Sequence, residues 1–198
     1  MQRWITVNRL TDGKSLFGTV KVSEKVDGIA LQNIFPFSNI LDDFFLRIKK
    51  CTPSIGNVIG KKKIDWNYFT ARSYIYPKNT GLSWHNDSSG YSAAYVYYIH
   101  PFWNSQWGGE LLVGDNSTYK IQYKRSNSKG MRNKILGFHL NNDLESEQLM
   151  LNGFGHYFQP KPNRIIFLKA GIHHTIKKVD EAAGSNLRCS IAGFFVKG

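Results

Sequence analysis

The sequence predicts a mainly β domain, a sandwich or barrel, with a single helix ahead of the strands. Two observations carry this. Only one segment places apolar residues at helical spacing. After it come six short runs rich in aromatic and β-branched residues, separated by clusters of Gly, Pro, Asn and Asp, a pattern that favours antiparallel strands over alternating βαβ units.

The elements follow in chain order. Asp27 to Phe37 reads as a strand running into a turn, and Ser38 as an N-cap whose hydroxyl accepts from the free amides of a first helical turn. Ile40, Leu41, Phe44, Phe45 and Ile48 then recur on one helical face. Asp42 and Asp43 sit near the favourable N-terminal end, Lys49 and Lys50 in the last turn, and Pro53 and Gly56 stop the helix. The predicted strands are Tyr68 to Tyr76, Ala93 to Ile99, Glu110 to Val113, Arg164 to Lys169, His174 to Val179 and Leu187 to Val196. The stretch 115–163 breaks this spacing. It is polar and Asn-rich, holds a basic run from Lys124 to Lys134, and is expected to be an insertion or lid within one domain spanning 1–198.

Composition narrows the classes. The chain has 198 residues, a size expected of one domain with its own core. Lys and Arg number 26 against 14 Asp and Glu, a formal charge of +12, which makes polyanions the first partners to consider. Two cysteines, Cys51 and Cys189, are too few for a disulfide framework and suggest a reducing compartment. The apolar runs fall far short of the roughly 20 residues of a membrane span. The N-terminal residues contain no apolar core followed by a cleavage site. A cytoplasmic protein without membrane contact is therefore expected.

The chemistry concentrates in Tyr76-Pro-Lys-Asn-Thr-Gly-Leu-Ser-Trp-His85-Asn-Asp87. On an extended chain residues i and i+2 face the same side, so His85 and Asp87 converge. An imidazole and a carboxylate are two of the three ligands of a 2-His-1-carboxylate facial triad, which leaves the opposite face of Fe(II) open. A second histidine must come from elsewhere, and Gly171-Ile-His173-His174 supplies two neighbours that point to opposite faces if extended. Only one of them can join the pair. Further on, Arg188 and Ser190 share a face. A guanidinium fork suits a carboxylate, and an inward Arg among Ile, Ala and Phe needs an anionic partner; pointed outward, it would be an ordinary solvated strand residue.

Taken in order, these motifs resemble the Fe(II)/2-oxoglutarate-dependent dioxygenases, in their prolyl-4-hydroxylase-like branch. The resemblance runs from about Ile29 to the end, without the insertion. It rests on Tyr76-Pro-Lys-Asn-Thr-Gly before His85-Asn-Asp87, and on Tyr97-Tyr98-Ile-His-Pro-Phe-Trp103. Gly108-Gly109-Glu110-Leu111, Pro160-Lys-Pro-Asn-Arg-Ile-Ile-Phe-Leu, His174-Thr-Ile-Lys-Lys-Val and Arg188-x-Ser-Ile complete it. It implies a double-stranded β-helix, jelly-roll or cupin-like, with an N-terminal buttressing helix. It further implies that His85, Asp87 and His174 bind iron, with His173 as the alternative to His174. Arg188 would hold the distal carboxylate of 2-oxoglutarate with a hydrogen bond from Tyr98, and Ser190 and Tyr76 would belong to the same pocket. Fe(II), 2-oxoglutarate and O2 would be required, with ascorbate as a candidate reductant. Related halogenases carry a small residue where Asp87 stands, so hydroxylation is the expected outcome, with succinate and CO2 as co-products.

The substrate implied is a peptide or protein residue, proline among them, or a free amino acid. The alternative is a nucleic-acid or nucleotide oxygenase using the basic surface. Against it, the segment after Arg188 lacks the second arginine, six residues on, of the oxidative nucleic-acid demethylases, and no nucleic-acid-binding module is recognisable.

Overall fold

The computed structural model describes residues 5–6, 20–22, 39–87, 90–114, 138–139 and 155–197. The predicted strand at 27–37, the Ser38 cap and the basic run at 124–134 lie outside them. So does most of 115–163, apart from the two strands named below and 159–163. No helix among the described residues is long and apolar enough to cross a membrane.

Two antiparallel sheets face each other. The larger contains β1 (Ile5–Thr6), β2 (Val20–Val22), β3 (Tyr68–Tyr76), β11 (Arg188–Val196), β5 (Tyr91–Tyr98) and β9 (Ile165–Lys169). β3 pairs with β11, β11 with β5 and β5 with β9, while β1 and β2 both pair with β3. The smaller runs β7 (Phe138–His139), β4 (Leu82–Asn86), β10 (His174–Ile176), β6 (Leu111–Gly114) and β8 (Gly155–Phe158). This interleaving of distant strands is the double-stranded β-helix that the motif order implies. α1 (Asn39–Cys51) and the short α2 (Gly56–Ile59) precede the main strands.

Strand alternation divides the apolar residues between two cores. Phe69 and Ala71 of β3, Ala93 and Tyr95 of β5, and Ile191 and Phe195 of β11 face outward, where Phe45 and Ile48 of α1 cover them with Ile59 and Trp66. This is the buttress: Trp66 meets Phe195 edge-on at 5.0 Å between ring centroids, and Phe45 meets Phe69 at 6.1 Å. The opposite faces of the same strands contribute Tyr76, Val96 and Tyr98 to a second core. There they meet Leu111, Val113 and Ile176 of the smaller sheet.

Gly193 of β11 lets this packing close. A Cβ there would collide with the Thr70 carbonyl and the Tyr95 ring, and the Tyr95 hydroxyl needs that path to donate to the Thr70 carbonyl at 2.8 Å.

Four strands carry no clear signal in the sequence. β1, β2 and β7 are two or three residues long, and β8, with three of its four residues exposed, shows no alternation. The predicted strand from His174 to Val179 pairs regularly only as far as Ile176. Beyond it the chain bends along the Gly108–Gly109 turn, where Val179 makes a single bridge to Gly108.

His100, just past β5, ties three segments together. Its Nε2–H donates to the Pro160 carbonyl at 2.6 Å, and its Nδ1 lies 3.0 Å from the Cys189 carbonyl and 3.3 Å from the Cys189 amide. It is buried (3% exposed) and packs on Trp103, with ring centroids 5.1 Å apart. Burial pushes its imidazole pKa down; the Pro160 and Cys189 carbonyls oppose this and the Arg188 charge adds to it.

Two outcomes are expected. Phe195→Ala, which empties a site in the packing between α1 and the larger sheet, lowers unfolding free energy by about 3–5 kcal/mol in urea titrations. For His100, the unfolded chain takes up its proton first as pH falls, so the stability due to the neutral ring is present above about pH 6.5 and lost below it. The unfolding free energy of the native protein relative to His100→Gln should therefore fall as pH drops through about 6.5 and below. A pH-independent difference would contradict this.

Candidate active site

β4 and β10 are neighbours in register, with His85 opposite His174. Their rings both enter the space between the sheets, centroids 4.2 Å apart. Asp87, one residue past the end of β4, turns to the same side by alternation. Its Oδ2 lies 3.2 Å from His174 Nε2 and its Oδ1 3.8 Å from His85 Nε2. The three donor atoms all fall within 4.8 Å of one another.

The backbone chooses which His174 nitrogen faces the cluster. Nδ1–H donates to the Ile172 carbonyl at 2.8 Å, leaving Nε2 toward Asp87. Burial pushes the His174 pKa down, but the hydrogen bond and charge of Asp87, with the Ile172 carbonyl, outweigh it and hold the pKa above its ordinary value. His173 points the other way. Its Nε2 meets Asn86 Nδ2 at 3.1 Å on the opposite face, and burial, with the neighbouring His174, pushes its pKa down. The structure thus brings His174, not His173, to His85 and Asp87.

A cavity of about 180 Å³ opens from these residues into the β-helix, walled by Tyr74, Tyr76, Leu111, Ile176 and Ser190. Arg188 packs against Tyr76 of that wall. It is the register partner of Tyr76, and Ser190 is that of Tyr98. Arg188 is completely buried, with Nε–H donating to the Gly109 carbonyl at 2.7 Å. Its guanidinium lies against the rings of Tyr76 and Tyr98, at 4.7 and 4.9 Å from their centroids. Nη1, Nη2 and the Tyr98 hydroxyl, all buried, have no hydrogen-bond partner among the described residues. A cation with two unsatisfied nitrogens in an apolar interior is strongly unfavourable unless an anion completes it. Burial raises the Tyr76 pKa despite the nearby Arg188 charge, so its phenol stays neutral and able to donate.

The Gly108–Gly109 pair explains why the arginine fits. Both residues have positive φ, 70° and 72°, and a Cβ on Gly109 would strike Arg188 Cδ at 2.7 Å. Trp103 secures the turn by donating from Nε1 to the Gly108 carbonyl at 3.0 Å. Trp103 is therefore a packing and anchoring residue. Tyr74 and Phe194 also line the cavity, although no motif in the sequence marks them. The signal that could have found them is interior alternation, counted back from Tyr76 and onward from Ser190.

The donor set of two histidines and one carboxylate fits Fe(II), and the unsatisfied Arg188 and Tyr98 groups fit a carboxylate. No curated protein matches the sequence. In fold, the chain is similar to a prolyl-4-hydroxylase from Pseudomonas putida, with a TM-score of 0.55 at 11% identity over 98% of this chain and 78% of that one. Prolyl 4-hydroxylases from Phytophthora capsici give 0.49 at 12% identity, over 91% of this chain and 48% of that one. The family model of the 2OG-Fe(II) oxygenase superfamily matches residues 70–196. That segment is more than half of the sequence and contains every residue of the site just described, and the chain belongs to this superfamily, a 2-oxoglutarate-dependent dioxygenase.

Proposed function

We propose that this enzyme hydroxylates an unactivated C–H bond of a peptide or protein residue, or of a free amino acid, in the manner of a prolyl hydroxylase. The balance is substrate–H, 2-oxoglutarate and O2 giving substrate–OH, succinate and CO2. The observation that carries the reading is the buried Arg188 fork, with unsatisfied nitrogens, packed on the rings of Tyr98 and of Tyr76, a wall residue of the cavity that also carries His85, Asp87 and His174. The motif order through Tyr98, Trp103 and the Gly108–Gly109 turn supports the prolyl-hydroxylase-like substrate class. The Pseudomonas putida prolyl-4-hydroxylase of similar fold supports it too.

In this reading His85, Asp87 and His174 hold Fe(II), and the metal with its co-substrate supplies the O2-dependent oxidation. Arg188 binds the distal carboxylate of 2-oxoglutarate through Nη1 and Nη2, a charge-assisted fork. Tyr98 donates a further hydrogen bond to it, and Ser190 and Tyr76 line the passage between that anchor and the metal. The Gly109 carbonyl holds Arg188 Nε, so the fork is oriented before the acid arrives. Leu111 and Ile176 keep the chamber apolar, which strengthens the charge pairing and excludes water. Ascorbate would serve as reductant. We further propose that 1–198 forms one oxygenase domain, in which 115–163 is an insertion or lid, and that it works in the cytoplasm, where the free thiols of Cys51 and Cys189 stay reduced.

The test is anaerobic loading with Fe(II) followed by 2-oxoglutarate, O2 and candidate peptides and amino acids, reading succinate and a gain of one oxygen by mass spectrometry. Asp87→Ala and His85→Ala are expected to abolish substrate-dependent succinate; turnover that survives either would refute the metal assignment. Arg188→Met should raise the KM for 2-oxoglutarate by about 30-fold or more, the loss expected when one partner of a buried charge pair is removed. Tyr98→Phe should raise it about tenfold, as for one hydrogen bond to a charged group.

A further inference from the structure

His173 takes no part in the donor cluster, yet it is as buried as the residues that do, at 3% exposed. Alternation sends Asn86 and His173 to the face of the smaller sheet opposite His85, Asp87 and His174. There Asn86 Nδ2–H donates to His173 Nε2 at 3.1 Å, from a side chain that is itself buried. Each partner is the chain neighbour of donors: Asn86 stands between His85 and Asp87, and His173 precedes His174. One hydrogen bond therefore joins, from behind, the two segments that carry all three donors.

The backbone ladder is weak at this place. β4 ends at Asn86, so Asp87 lies beyond it. On the other side of the pair, the β4–β10 register shifts between His174 and Ile176, where Ile176 pairs with Leu82. Between the bulge and the strand end the main chain keeps the one pair of His85 with His174, and the side-chain bond lies directly beside it.

We infer that the Asn86–His173 hydrogen bond is a positioning clasp that sets the spacing of His85, Asp87 and His174 for a divalent cation. The inference rests on the reading of those three residues as a metal site. Neither clasp residue touches the cation; both act through their neighbours. On an extended chain a rotation at residue 86 swings the side chains of 85 and 87 together, and metal–ligand distances tolerate only about 0.2 Å. Loosening the clasp should thus be felt at the metal before it is felt by the fold.

The experiment is Co(II) titration of the metal-free protein, read by the visible d–d bands that report coordination geometry. Three variants are compared: His173→Phe, a ring of similar size without an acceptor; His173→Gln, which keeps an acceptor oxygen; and Asn86→Ala. His173→Phe and Asn86→Ala should each weaken Co(II) binding by about tenfold or more and shift the bands, as for the loss of other outer-shell partners. His173→Gln should stay within about threefold of the native protein. The double variant N86A/H173F should lose no more than the worse single one, since both remove the same bond. Native affinity and bands in His173→Phe, or losses that multiply in the double variant, would overturn the clasp. If His173→Phe does not fold, Asn86→Ala against His173→Gln decides the question, because Asn86→Ala adds no bulk. His174→Ala separates the two readings: native Co(II) affinity in that variant would refute the metal site itself, whereas its loss leaves the clasp to be judged by the variants at 86 and 173.

Discussion

A buried guanidinium with two donors left over is the constraint around which this protein is organised. Arg188 has given up water entirely, and the fold repays it with one carbonyl bond and two aromatic faces. Neighbouring features make sense as accommodations to it. The Gly108–Gly109 turn takes a left-handed backbone and forgoes side chains so that the arginine stem can pass. Tyr76 and Tyr98 are placed on the strands flanking β11 so that their rings meet the cation. What remains unsatisfied suits a carboxylate, and under the proposed function that interior charge would select for an acidic co-substrate.

The electrostatics of the cavity are therefore arranged as two poles. A fixed positive charge lies buried against Tyr76 of the cavity wall; along the same wall a carboxylate, Asp87, lies between two histidines. His174 illustrates the balance at the second pole, because burial alone would keep it neutral and the aspartate draws a proton toward it. A bound cation would take over that proton's role as the counter-charge of Asp87.

The positive composition points toward nucleic acid, but among the described residues the most deeply buried charge is one interior arginine, Arg188. Much else was legible in advance. The helix could be read because Ile40, Leu41, Phe44, Phe45 and Ile48 repeat at one spacing, and α1 indeed buries Phe45 and Ile48. His85 and Asp87 could be paired because i and i+2 share a face on any extended chain. The choice between His173 and His174 could not be made from alternation alone. Alternation says that the two diverge; the cross-strand register of His174 with His85 determines which turns inward. His100 and Asn86 were illegible for a related reason. Each depends on partners 60 to 89 residues away, and nothing in their own surroundings marks them.

β11 has two sides, and that has a consequence for where the working unit of the protein begins. Arg188 and Ser190 project toward the catalytic chamber, while Ile191 and Phe195 of the same strand project into the packing against α1. The segment common to the superfamily starts at residue 70, yet the helix that roofs the outer face lies at Asn39–Cys51 and Trp66 just before the boundary. A chain trimmed to the family segment would keep every chemically active group and still present Tyr95, Ile191 and Phe195 to water on the reverse of the strand that carries the arginine. In this chain the family segment and the packing that covers its outer sheet do not share a boundary, because α1 and Trp66 lie upstream of residue 70.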